Sequence, residues 1–119
     1  MAFDWREYLA LAQFIQHQVG NDYSHEAARR CAVSRAYYAA FCHARNYAQL
    51  HYDFVPSHRA HDHEQLRRHL QQKGRTDIAR ELSQLRQWRN LCDYDDSVAN
   101  LPRLTSSALE LANRVIAHL

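Results

Sequence analysis

Apolar residues recur along the chain at steps of three and four, the repeat of helices with one buried face. Trp5, Tyr8, Ala12, Ile15 and Val19 form the first such stripe, predicting a helix from about Asp4 to Val19 that Gly20 and Asn21 stop. Ser24 is placed to cap a second helix reaching about Leu50. That helix carries two stripes. One is Val33, Tyr37, Phe41, Ala44 and Ala48; the other is Cys31, Arg35, Tyr38, Cys42 and Arg45. A helix with two such sides sits between neighbours, so it is expected at the centre of a bundle. His51 to Ala60 contains Pro56 and reads as the longest loop. A third helix is expected from about Asp62 to Lys73, closed by Gly74. Thr76 is a cap for the fourth, with Asp77 favourable in its first turn. The fifth follows Pro102 and presents Leu104, Ala108, Leu111 and Val115. The expected fold is all-α, an antiparallel up-and-down bundle of four to five helices forming a single domain over residues 1–119.

One position breaks the pattern. On the fourth helix the core stripe reads Ile78, Leu82, Leu85, Arg89, Cys92, so a guanidinium stands where an apolar side chain belongs. Burying it unpaired is costly, and Arg89 therefore needs a partner, a solvated cleft or a subunit interface. Two explanations stand beside each other. Arg89 can reach off the helix end or pair with Asp93, four residues on. Alternatively, Arg35 and Tyr38 of the central helix join Arg89 in a cationic, hydrogen-bonding pocket that takes phosphate or a nucleotide. A structural layer of packed tyrosine and arginine is the plain counterpart to that pocket.

Composition narrows the classes without choosing among them. The chain has 119 residues, two glycines and two prolines, which suits long helices around one core. The net charge of +2 gives no whole-chain case for nucleic acid. Lys73 is the single lysine among fifteen basic residues; arginine is the better bidentate ligand of phosphate, but codon bias is the plainer explanation of the preference. Cys31, Cys42 and Cys92 show no paired spacing and read as small core residues in a reducing cytoplasm. The first residues show no signal-peptide pattern, and no stretch approaches the roughly 20 apolar residues of a membrane span. Among nine histidines, His58, His61 and His63 cluster with Asp62 and Glu64, a group that can collect a transition metal but matches no standard zinc spacing. Asp93, Asp95 and Asp96 sit where the helix dipole disfavours them, so pairing with Arg86 and Arg89, a metal or a partner contact are all open. Glycine-rich phosphate loops, nucleophile elbows and zinc fingers are absent, and no resident metal or cofactor is expected.

Two segments carry a resemblance. Ser34-Arg35-Ala36-Tyr37-Tyr38-Ala39-Ala40-Phe41 resembles the central-helix motif of small stand-alone HEPN proteins. His63, Leu66 and Leu70 ahead of Gly74, followed by Leu82, Leu85, Arg89 and Asp93-Tyr94, resemble the same group. The resemblance runs from the first helix through Asp96. It implies a helical bundle that commonly dimerises with its arginine motifs facing one cleft. Many such proteins are metal-independent ribonucleases of toxin–antitoxin or defence systems, some restrained by a nucleotidyltransferase, and others are binding modules. In the ribonucleases, arginine holds the scissile phosphate and a nearby histidine moves a proton. Arg89 and Asn90 match the first positions of that motif, whereas Tyr94 stands in the histidine's place, and phenols ionise far above neutrality. The implied reading is a homodimeric HEPN protein that binds RNA or nucleotide through Arg35, Tyr38 and Arg89 and pairs with a nucleotidyltransferase antitoxin. The other readings are a ribonuclease using Arg89, Asn90, Asp93 and Tyr94, with His63 as a further proton carrier, and a non-catalytic structural dimer.

Overall fold

Ser24 interrupts the chain just ahead of its longest helix. Its backbone is extended (φ −96°, ψ 167°), and its Oγ accepts the Ala27 N–H at 3.1 Å, satisfying an amide that a helix start leaves unpaired. In the computed structural model, which describes residues 2–119, the chain folds into five helices: α1 Arg6–Ile15, α2 His25–His51, α3 Asp62–Gln72, α4 Thr76–Tyr94 and α5 Leu101–Ala117. At about 1.5 Å per residue, α2 is roughly 40 Å long. It runs most of the molecule's 46 Å length.

The central helix is lined with small residues. Ala28, Ala32, Ala36, Ala39, Ala40, Ala44 and Ala48 are all buried, together with Val33, Tyr37, Phe41 and Cys42. Alanine lets neighbouring backbones approach on more than one side at no cost in helix propensity. Accordingly α2 packs against all four other helices. Ile78, Leu82 and Leu85 of α4 and Ala108, Ala112 and Val115 of α5 complete the same core. The all-helical bundle expected from the periodicity is the fold observed.

Several local expectations are corrected. The first helix ends at Ile15, not Val19, because Gln18 N–H turns back to the Ile15 carbonyl at 3.0 Å and leaves Val19 exposed. Asp4 lies ahead of the helix, where its carboxylate accepts the Arg6 amide at 3.0 Å. Thr76 is the first residue of α4 and caps nothing; Arg75 precedes it without a side-chain cap. The fifth helix begins at Leu101, one residue before Pro102, and its buried face includes Thr105 and Leu109 while Leu104 and Leu111 are half-buried. Cys42 and Cys92 are buried as expected, but Cys31 is exposed. Among the described residues, no helix is long and apolar enough to cross a membrane.

The α3–α4 turn shows why glycine sits at position 74. Gly74 has φ +78°, a region that side chains with a Cβ enter at a cost. Its N–H donates to the Gln71 carbonyl at 3.1 Å, and the Arg75 N–H donates to the Leu70 carbonyl at 2.8 Å. This pair of bonds closes the end of α3. Gly74→Ala is expected to destabilise the fold by about 1 kcal/mol through backbone strain alone, since the added Cβ meets no atom within 4 Å. Urea unfolding of the two proteins checks this; equal midpoints would contradict it.

Candidate arginine-lined site at the end of α4

Arg89 lies in the buried stripe of α4, its side chain only 17% exposed. The structure compensates its charge on several sides. Nε lies 2.8 Å from Asp93 Oδ2, an ion pair whose N–H is not aligned as a hydrogen bond. One terminal nitrogen donates to Asn90 Oδ1 at 2.9 Å. The guanidinium carbon stands 5.2 Å from the Tyr38 ring centre and 5.6 Å from that of Tyr94. Such cation–π contacts contribute roughly 0.5–1 kcal/mol each near a surface. Asp93 is itself held, accepting the Ser34 hydroxyl of α2 at 3.3 Å.

A groove of about 700 Å³ opens beside this cluster, lined by Arg86, Gln87, Arg89, Asn90, Leu91, Tyr94 and Asp95. Arg86, Arg89 and Asn90 are spaced three and four residues apart on α4 and therefore share a face. Thus Arg89, Asn90 and Tyr94 border one cleft, with Tyr38 packed against Arg89. Arg35 is elsewhere. Its guanidinium lies 5.7 Å from the Tyr8 ring of α1, and it lines a separate groove of about 440 Å³ with Arg30, Ser34 and Asp93. Asp93 contacts Arg89 and borders that second groove.

Two arginines outside the expected set complete the arrangement. Arg30 donates to the carbonyls of Cys92 (3.1 Å), Asp95 (2.5 Å) and Asp96 (3.1 Å). A cation on the last carbonyls of α4 offsets the helix dipole, so the acidic run Asp93, Asp95, Asp96 is tolerated there. Contacts across more than sixty positions of chain leave no local spacing to read. Arg86 was visible as a possible partner of the acidic run; its i, i+3 relation to Arg89 was the signal for the shared face.

The histidine group divides. His58 is exposed with φ +62°, and His61 Nε2 lies 3.2 Å from Ser57 Oγ. Among the described residues, no group of three potential ligands is arranged for a metal ion. Asp62 is buried and serves the loop instead, accepting the Ser57 and His58 amides at 3.0 and 2.8 Å. Burial raises its carboxyl, but the hydrogen bonds from Ser57 and His58 prevail and bring it down to about 2. His63 turns inward. Its Nδ1 is hydrogen-bonded to the Tyr37 hydroxyl, and its ring stacks on Phe41 with centres 4.2 Å apart. Burial, then the positive field of Arg86, Arg89 and Arg67, lowers its pKa to about 4. Burial likewise keeps the Tyr37 phenol protonated well above its ordinary range. This histidine is neutral at pH 7 and close enough to the arginines to feel their charge.

Compared with protein-family models, curated proteins and solved structures, the chain matches none.

The His63 environment sets a pH dependence. An ordinary histidine titrates near 6.5. Between that value and about 4, the unfolded chain takes up a proton that folded His63 refuses, so stability falls as pH drops through this window. His43, lowered chiefly by burial, acts in the same direction. The Asp62 contribution is lost only at lower pH, below the ordinary carboxylate range and down towards about 2. His63→Phe keeps an aromatic ring and removes the titration. Melting temperatures between pH 4.5 and 7.5 are expected to depend less on pH in this variant; parallel curves would contradict the assignment.

Proposed function

We propose that this protein is a HEPN-type module of a toxin–antitoxin or defence-type system that binds RNA or nucleotide at the Arg86–Arg89–Asn90 groove without cleaving it. The observation that carries the binding reading is Arg89, a guanidinium kept inside a core stripe yet bordering an open groove beside a second arginine. Arginine's planar donor set suits phosphate oxygens, and Asn90 and Gln87 add groups able to hydrogen-bond a base or sugar. The sequence resemblance supplies the family and, with it, the expectation of a homodimer and of a nucleotidyltransferase partner.

The absence of a suitable base in the α4 motif supports binding without cleavage. Tyr94 replaces the expected histidine, and Asp93 is occupied by Arg89 and Ser34. His63 is the imidazole within the arginines' field, and it favours the second reading, a metal-independent ribonuclease. Its lowered pKa makes it a weak base at neutral pH, and its Nδ1 is engaged by Tyr37.

Incubation with labelled RNA in EDTA separates the two readings. The expected result is binding without cleavage, weakened about tenfold in Arg86→Ala, whose side chain makes no ion pair among the described residues. Cleavage that Arg89→Ala abolishes would establish the ribonuclease reading instead, and no association with RNA or nucleotides would sink the binding site. Asp93→Asn is expected to bind more tightly and melt lower, because it removes a carboxylate that both competes with phosphate and stabilises Arg89. Parallel anisotropy titrations and thermal melts check this; unchanged affinity would show that Asp93 does not compete.

A further inference from the structure

Tyr94 has a position that its loss of proton-transfer chemistry does not explain. It ends α4 at the edge of the arginine groove, and its side chain is among the most exposed large aromatic groups, at 73%. One side of the ring is engaged by the Arg89 guanidinium at 5.6 Å. The exposure leaves ring surface open to solvent. A water-exposed aromatic beside two arginines combines the two elements of single-strand recognition, a π-surface for a base and cations for the backbone.

We infer that Tyr94 is a base-stacking platform, and that the groove takes single-stranded RNA with a base on Tyr94 and an adjacent phosphate on Arg86 and Arg89. This inference rests on the RNA-binding reading above and names the form of RNA bound. A duplex keeps its bases stacked on one another and offers the ring no free face. Electrostatics give stacking added weight here. Asp95 lines the same groove and opposes a polyanion, and the whole chain carries only +2, so phosphate contacts alone are weakly favoured. Stacking gains affinity without requiring more positive charge.

The test is fluorescence anisotropy of a short labelled RNA, single-stranded or annealed to its complement, with EDTA present. Wild type is expected to prefer the single strand by about tenfold. Tyr94→Phe keeps the π-face and is expected to bind within about twofold of wild type, whereas Tyr94→Leu keeps apolar bulk and is expected to lose about tenfold. Circular dichroism at the assay temperature establishes that each variant is folded. Equal binding of duplex and single strand, or full affinity in Tyr94→Leu, overturns the stacking inference while leaving the RNA-binding reading intact. If wild type binds neither RNA, the stacking inference fails together with the RNA part of the binding reading, and only nucleotide binding is left to it.

Discussion

A guanidinium placed in the buried stripe of a helix must be compensated locally, and the end of α4 is organised around that requirement. An unpaired buried charge costs several kcal/mol, a large fraction of a small domain's stability. Arg89 escapes this through Asp93, Asn90, the faces of Tyr38 and Tyr94, and a groove that admits water. Each compensating group depends on something further away. Tyr38 and Ser34 are set by α2, whose alanines bring the helices into contact, and the last turn of α4 is held by Arg30 through its carbonyls. The same features that make Arg89 tolerable leave it at the edge of an open groove.

The layer behind Arg89 is aromatic and neutral. Tyr37, Phe41 and His63 stack there, and the Tyr37 hydroxyl bonds His63 Nδ1. A charged imidazole in that position would face burial and three arginines, so the protein holds it unprotonated. The positive groups of the cleft thus meet an uncharged wall, and the counter-charge comes from Asp93. That distribution is what the proposed reading, binding without cleavage, rests on.

Much of this was legible in the sequence because it is local. The Ser24 cap, the stripe Val33, Tyr37, Phe41, Ala44, Ala48, and the Gly74 stop follow from helical periodicity and backbone geometry. Arg89 announced itself as a charge at an apolar position, and Asp93 as its i+4 partner. What escaped depends on how helices rotate against one another. Arg35 shares a stripe with Tyr38, yet it faces Tyr8 of α1 while Tyr38 faces Arg89, because successive turns of a central helix meet different neighbours. Arg30 capping α4 and His63 folding onto Phe41 are likewise products of tertiary packing. The family resemblance and the RNA it implies belong to the sequence motifs; the geometry contributes the grouping of Arg86, Arg89, Asn90 and Tyr94.

The central claim is that Arg89 is both internally compensated and available to an anion. Side-chain NMR of ¹⁵N-labelled arginines tests it most directly. Arg89 Nε–H, buried beside Asp93, is expected to exchange slowly with water and to be resolved before ligand is added. On titration with a short single-stranded RNA, the Arg86 and Arg89 signals should move together and saturate, while Arg75, tied to Asp77 and the His118 carbonyl, stays in place. An Arg89 signal unmoved at saturation, or uniform drift of all the arginines, would contradict the account.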